Sequence, residues 1–234
     1  MKIALIGYGK MGKAIEALAL AKGHQVIAKT GREGFSDAEV IAADVAIEFS
    51  SPQMGSENCQ RLISMGIPTV SGTTGWTEDL PLIERLTQEN STSFLYASNF
   101  SLGVNLFFAL NEQLANLMKD QPYQVSIEEI HHTQKLDAPS GTAISLAEPI
   151  IHANKTLKSW SLEEDSKENQ LPIVAKRIDS TPGTHLVRYD SEIDTLEIKH
   201  TAHSRQGFAQ GALLAAEWIT DKQGVYSMKD LIKV

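Results

Sequence analysis

The stretch from Glu129 to Thr142, Glu-Ile-His-His-Thr-Gln-Lys-Leu-Asp-Ala-Pro-Ser-Gly-Thr, concentrates proton donors, a cation and the marks of a helix start in one short span. The segment before it, QVSIEEI, alternates apolar and polar residues as a strand does, and the segment after it, TAISLAEPII, spaces its apolar residues as a helix does. The polar stretch is therefore a strand-to-helix loop, the kind of segment that carries catalytic groups on a rigid scaffold. Pro139, Ser140, Gly141 and Thr142 fall where the helix begins. Unpaired backbone N–H groups there, reinforced by Ser and Thr hydroxyls, form a site for a carboxylate. Lys135 suits a second anionic group. His131 and His132, adjacent on extended backbone, point to opposite faces, so one faces a given substrate atom while the other orients or binds. An imidazole titrates near neutrality, which suits proton transfer. A metal site assembled from His131, His132, His200 and His203 is disfavoured, because no short spacing matches a zinc pattern and one cysteine offers no thiolate set; no metal is expected.

Those groups need a scaffold, and the N-terminus shows its type. Lys2 to Ile6 is a short apolar strand, followed by Gly7-Tyr8-Gly9-Lys10-Met11-Gly12 and a helical pattern that stops at Gly23. Between strand and helix this is a dinucleotide fingerprint. The first glycine allows the tight turn, the second lets backbone approach a pyrophosphate, and the third lets helix and strand pack closely. The second strand, His24 to Thr30, ends without the acid that often holds the adenosine ribose hydroxyls. Lys29 and Arg32 stand at or just past the strand end instead, and cations there favour a 2′-phosphate, so NADPH is expected to serve at least as well as NADH.

Strands and helices alternate through the first hundred residues: Asp44–Phe49, a helix after Pro52, Ile67–Ser71, a helix through Glu78–Glu89, then Phe94–Ala97. This α/β grammar predicts a Rossmann-like, doubly wound parallel sheet. Ligands of such sheets sit beyond the carboxyl ends of strands, which places the loops Gly72-Thr73-Thr74-Gly75 and Ala97-Ser98-Asn99-Phe100 at the cofactor cleft. From Leu102 the pattern changes. A helix leads to the strand Gln124–Ile130, the catalytic loop and its helix, an exposed loop at SLEEDSKENQ, and strands at Pro172–Asp179, His185–Asp190 and Thr195–His200. The expectation is an inserted α+β substrate-binding domain over 102–202. The dinucleotide-binding domain then comprises 1–101 and 203–234 and includes a final apolar helix at Gly207 to Asp221. Two crossings between domains suggest a hinge that brings substrate to nicotinamide.

With 234 residues and 42% hydrophobic content, the chain can bury two cores of ordinary size. A net charge of -8 disfavours general nucleic-acid or anionic-membrane binding. No apolar run is long enough to span a bilayer and no signal peptide is visible, so a cytoplasmic location is expected. The lone Cys59 excludes an internal disulfide, and packing is its expected role.

GYGKMG, GTTGW, SNFSLGVN, EIHHTQKLDAPSGTA and LEIKHTAHSRQGFAQGA, in that order, closely resemble the dihydrodipicolinate reductase family of the diaminopimelate route to lysine. The resemblance spans nearly the whole chain. It implies an oxidoreductase of lysine biosynthesis that uses NADPH and/or NADH, takes a small cyclic dicarboxylate, and assembles as a homotetramer, with 102–202 a substrate-binding and oligomerisation domain on a mainly open mixed sheet. Carried over residue by residue, it implies His131 as general acid and Lys135 as second proton donor. His132, Ser140, Gly141 and Thr142 would hold substrate, with Arg205 as a further carboxylate contact. Gly7, Tyr8, Gly9, Lys10, Met11, Gly12, Gly72, Thr73, Thr74, Ala97, Ser98, Asn99 and Phe100 would meet the cofactor. The chain departs from the family pattern in the missing acid after the second strand and in a shorter segment from Trp160 to Asp190. A homoserine or aspartate dehydrogenase would share the glycine fingerprint but has no need of DAPSGT beside paired histidines, and a non-catalytic NADP sensor would need the fingerprint alone.

Overall fold

Short apolar runs set between amphipathic helices build most of this chain. A computed structural model describes residues 1–204 and 206–233. In chain order the elements begin β1 (Lys2–Ile6), α1 (Lys10–Ala21), β2 (Gln25–Thr30), α2 (Asp37–Val40), β3 (Val45–Glu48), α3 (Pro52–Ser64), β4 (Thr69–Ser71), α4 (Leu80–Glu89), β5 (Ser93–Tyr96) and α5 (Leu102–Met118). They continue with β6 (Gln124–His131), α6 (Gly141–Ala153), β7 (Ser159–Leu162), β8 (Gln170–Arg177), β9 (Gly183–Asp190), β10 (Thr195–Ala202), α7 (Gln206–Ile219), β11 (Gly224–Tyr226) and α8 (Met228–Ile232). The chain divides into two compact units, Met1–Asn105 with Gln206–Val234, and Leu106–Arg205.

The first unit carries a six-stranded sheet of order β11-β5-β4-β3-β1-β2, with every pair parallel. β3 and β4 are buried along their whole length, as strands covered on both faces must be. The order reverses between β1 and β3, which makes the ends of those strands the switch point where ligands of such sheets bind. α7 closes one face: Ala209, Ala212, Leu213, Ala215, Ala216 and Ile219 are buried in one cluster with Ile3, Leu5, Val45, Ile47 and Val70. Each fully buried Ile or Leu there contributes about 1.5–3 kcal/mol of transfer free energy.

The second unit carries a mixed five-stranded sheet of order β10-β9-β6-β8-β7. β6 runs parallel to β8 and antiparallel to β9. Ile127, Leu171, Ile173, Val187 and Tyr189 form a core with Phe107 and Leu114 of α5 and Leu146 and Ile150 of α6. Among the described residues no helix is long and apolar enough to cross a membrane.

Several expectations are corrected in detail. SLEEDSKENQ is not all loop, because Ser161 and Leu162 finish β7, which pairs parallel with β8 and packs Trp160 against the second core. The helix expected from Glu78 opens as a 3-10 turn at Thr77–Asp79 before α4. The division between units falls inside α5, past the expected start at Leu102. The first turn of that helix is tied to its own approach, with Asn105 Nδ2 donating to the carbonyls of Asn99 at 2.8 Å and Ser101 at 2.9 Å, whereas Phe107 packs on the second core. α2, β11 and α8 were not anticipated. They are short, and α2 and α8 start on capping boxes, Ser36 with Glu39 and Ser227 with Asp230.

Candidate active site

β6 alternates in burial, so Ile127, Glu129 and His131 share its covered face. At Ile127 that face is apolar core; one step on it becomes polar. The Glu129 carboxylate has no exposed surface, and His131, His185 and Ser140 are buried around it. Its Oε1 accepts from Arg177 Nη2 at 3.1 Å, and its Oε2 accepts from the backbone N–H of Ser140 at 3.1 Å. His131 Nδ1 lies 3.4 Å and His185 Nε2 3.7 Å from Oε2, and the two imidazole rings meet edge-on with centroids 5.0 Å apart. The His131 contact has ion-pair reach but not hydrogen-bond alignment, so Nδ1 has no aligned acceptor. Burial depresses the pKa of His131; Glu129 opposes that shift, while Lys135, Arg177 and His132 add to it. Burial, with smaller repulsion from His131, pushes His185 down to about 3, so this ring is neutral at physiological pH. Glu129, His131 and His185 present donor atoms within 4.8 Å of one another, a metal-like set. Here a guanidinium and a backbone N–H already occupy the carboxylate.

The loop after β6 turns at once, with Lys135 N donating to the His132 carbonyl at 3.1 Å. His132, the first residue past β6, is half-buried. Lys135 Nζ donates to both carboxylate oxygens of Asp137, each at 2.8 Å, and this bond holds the Asp137 carboxyl below its ordinary pKa. Arg177, aligned with His131 at the end of β8, ties the loop down by donating to the carbonyls of Lys135 at 3.3 Å and Asp137 at 2.5 Å.

Ser140 caps α6: its Oγ accepts from Ala143 N at 3.2 Å and stands 3.2 Å from His185 Nε2. With its N–H on Glu129, Ser140 is committed inward. The next N–H groups, of Gly141 and Thr142, have no partner within a helix because they are its first positions. Gly141 is exposed, with nothing within 4 Å of where a Cβ would lie. An anion can approach there. Arg205 lies outside the described residues. Glu129, Arg177 and His185 escaped the sequence reading. The first had a signal, a charged residue two positions before His131 on the buried face of an amphipathic strand.

In the first unit the glycine loop has the properties its sequence implied. Gly7 has φ +90° with the Phe49 carbonyl 2.1 Å from any added Cβ, a Cβ on Gly12 would stand 2.8 Å from the Gly7 carbonyl, and Gly9 faces open space. These are the features a pyrophosphate cradle requires. A cavity of about 530 Å³ opens at the switch point, lined by Gly7, Tyr8 and Gly9, by Arg32, and by Phe49 to Ser51 after β3. Gly72, Thr73, Thr74 and Ala97 to Phe100 are not among its lining residues. Thr73 is linked to that wall, its Oγ1 accepting from Ser50 N at 2.9 Å and donating to the buried Glu48 at 3.0 Å. Lys10 is exposed at the start of α1, whereas Met11 and Ala97 pack against the core and Phe100 belongs to it. Ser98 is exposed, and Asn99, half-buried, accepts at Oδ1 from Ser101 N at 2.9 Å. Lys29 is not a free cation. Its Nζ pairs with Glu16 Oε1 of α1 at 2.9 Å, Glu16 also accepts from the Tyr8 hydroxyl, and the ammonium sits 5.4 Å from the Tyr8 ring centroid.

A switch-point cavity behind a glycine loop, with a separate unit presenting buried histidines beside a helix N-terminus, defines a two-unit, nucleotide-dependent oxidoreductase of Rossmann type. The sequence profile of the dihydrodipicolinate reductase N-terminus matches residues 1–100, and that of its C-terminus matches residues 103–232. The chain is 48% identical to 4-hydroxy-tetrahydrodipicolinate reductase of Christiangramia forsetii over 99% of its own length and 98% of that protein's. It therefore belongs to the dihydrodipicolinate reductase family, whose members are pyridine-nucleotide-dependent oxidoreductases. In fold it is similar to a dipicolinate-bound dihydrodipicolinate reductase from Paenisporosarcina sp. TG-14, with a TM-score of 0.78 at 21% identity and 97% of each chain covered. A hyperthermophilic archaeal homoserine dehydrogenase mutant in complex with NADPH follows the fold less closely, with a TM-score of 0.52 at 12% identity, covering 94% of this chain and 97% of that one.

Proposed function

We propose that the chain reduces the cyclic dicarboxylate 4-hydroxy-tetrahydrodipicolinate, by way of its dehydrated form, to tetrahydrodipicolinate in the diaminopimelate route to lysine, with His131 as general acid and Lys135 as its partner. The observation that carries this reading is the convergence of His131, Lys135 and the open N–H groups of Gly141 and Thr142 around one loop braced by Arg177. Loss of water from the substrate gives a conjugated imine. A bound nicotinamide would supply hydride to its ring C4. The resulting negative charge moves toward the ring nitrogen, and the enamine takes up a proton to give the product.

The protein's share is binding and proton delivery. One carboxylate of the substrate seats on Gly141 and Thr142, with the dipole of α6 behind it. The other is held by a cation, with Lys135 exchanging its bond to Asp137 for one to substrate. His131 is kept neutral by burial among cations, and a bound dianion raises its affinity for the proton it must deliver. His132, next to His131 at the start of the loop, contributes to binding. Glycines open to a pyrophosphate suit NADPH or NADH; Arg32 at the cavity favours the 2′-phosphate, while Glu16 offsets the charge of Lys29. We place the enzyme in the cytoplasm and assign it a homotetramer built on the sheet face opposite α6, where Glu128, Ile130, Leu186 and Lys176 retain exposed surface.

The test is absorbance at the nicotinamide band with NADPH or NADH and substrate freshly made from pyruvate and aspartate semialdehyde by the preceding enzyme. Oxidation should require every component, and Lys135→Ala should raise the barrier by roughly 2–4 kcal/mol. Folded protein that binds NADPH but oxidises neither cofactor would exclude the reading.

A further inference from the structure

The reduction described above uses neither Glu129 nor His185, yet both are buried and lie directly opposite each other across β6 and β9. We propose that Glu129 and His185 are a positioning pair for this reduction, setting the ring of His131 and the anion-binding start of α6 together. The inference rests on the reading of the reaction given above and adds to it the residues that hold its two working parts in register.

Glu129 stands behind the Nδ1 edge of His131 and accepts the Ser140 N–H, so one carboxylate touches both the acid and the helix cap. His185 Nε2 lies 3.2 Å from the Ser140 hydroxyl, a contact that turns that side chain away from substrate and leaves Gly141 and Thr142 as the outward donors. The negative charge 3.4 Å from Nδ1, though not aligned as a hydrogen bond, favours a proton on that edge of the ring and leaves Nε2 to deliver. Gly183 keeps the Nε2 edge clear, since a Cβ there would stand 3.2 Å from it. The charged and titratable groups facing His131 are Glu129 on its own strand, His185 from β9, Arg177 from β8, and Lys135 and His132 from the loop. Glu129 is the one anion among them, so its charge supports protonated His131.

The experiment compares kcat, KM and the pH profile of kcat/KM for the wild type, Glu129→Gln, His185→Phe and His185→Gln. Glu129→Gln keeps shape but removes charge. It should lower kcat by at least about tenfold and move the alkaline limb to lower pH by roughly one unit, because the imidazolium loses its anion. His185→Phe should raise KM for substrate about tenfold while kcat falls much less, and His185→Gln, which restores a polar atom near Ser140, should recover most of that loss. A shift of the limb and rescue by Gln are effects that loss of packing alone would not produce. An unmoved limb with wild-type kcat in Glu129→Gln, or wild-type KM in His185→Phe, would overturn the pair. If Glu129→Gln does not fold, the two His185 variants decide. A wild type that is itself inactive defeats the reaction assignment instead, so the two failures are distinct.

Discussion

Arg177 serves the buried Glu129 carboxylate and two carbonyls of the loop after β6 with a single guanidinium. Only a planar fork with several N–H donors can do this; an ammonium of equal charge reaches fewer acceptors and in one direction at a time. Arg177→Lys should therefore lower stability by about 1–3 kcal/mol, the value of hydrogen bonds to a charged group, and lower turnover because Lys135 loses its fixed backbone. Urea midpoints and kcat measured on the same preparation check this. A variant with both at wild-type values would show that the loop stands without the brace. At this scale the sequence showed His131, Lys135 and the start of α6, since they are close in sequence and their types are suggestive. Arg177 and His185 were hidden because their relation to Glu129 exists only through the β6–β8 and β6–β9 registers, which join positions far apart in the chain.

Among elements, α1 and β2 jointly decide the charge at the mouth of the dinucleotide cavity. The sequence places Lys29 at the end of β2 and shows no acid after it, but a residue in the second turn of α1, Glu16, supplies the carboxylate. Both groups respond: hydrogen bonds from Tyr8 and Lys29 lower the Glu16 pKa, and Glu16 raises that of Lys29. Glu16→Ala should release the ammonium for a 2′-phosphate. The ratio of kcat/KM for NADPH to that for NADH should then rise about fivefold, a modest factor because the pair is solvent-screened. An unchanged ratio would remove Lys29 from cofactor choice. The strand–helix alternation was legible because buried parallel strands are continuous apolar runs and the helices are amphipathic. β7, β11, α2 and α8 were not, since each is five residues or shorter and takes its stability from pairing or capping rather than from a periodic pattern.

For the molecule as a whole, the neutral imidazole of His185 links stability to acidity. Its pKa lies at about 3 in the fold, against 6.5 ordinarily. Between those values the unfolded chain binds a proton that the folded chain refuses. The sign follows: stability is complete above about pH 6.5 and falls as the pH drops toward 3, by roughly 2 kcal/mol at pH 5. Urea unfolding at pH 7 and pH 5 should show a loss in the wild type that exceeds the loss in His185→Phe by about that amount. Equal losses would mean that this ring does not govern acid sensitivity.

The split course of the first unit has a consequence for biosynthesis. β1 through β5 leave the ribosome early, but the helix that covers Ile3, Leu5, Val45, Ile47 and Val70 is α7, and the edge strand β11 comes later still. During translation the nascent sheet waits, one apolar face covered only in part by α1, while the whole of Leu106–Arg205 is made and can collapse on its own core. A ribosome that stalls or terminates before Gln206 thus releases a chain with a finished insert and an unfinished nucleotide-binding unit, a species that chaperones and proteases would recognise by its exposed strands.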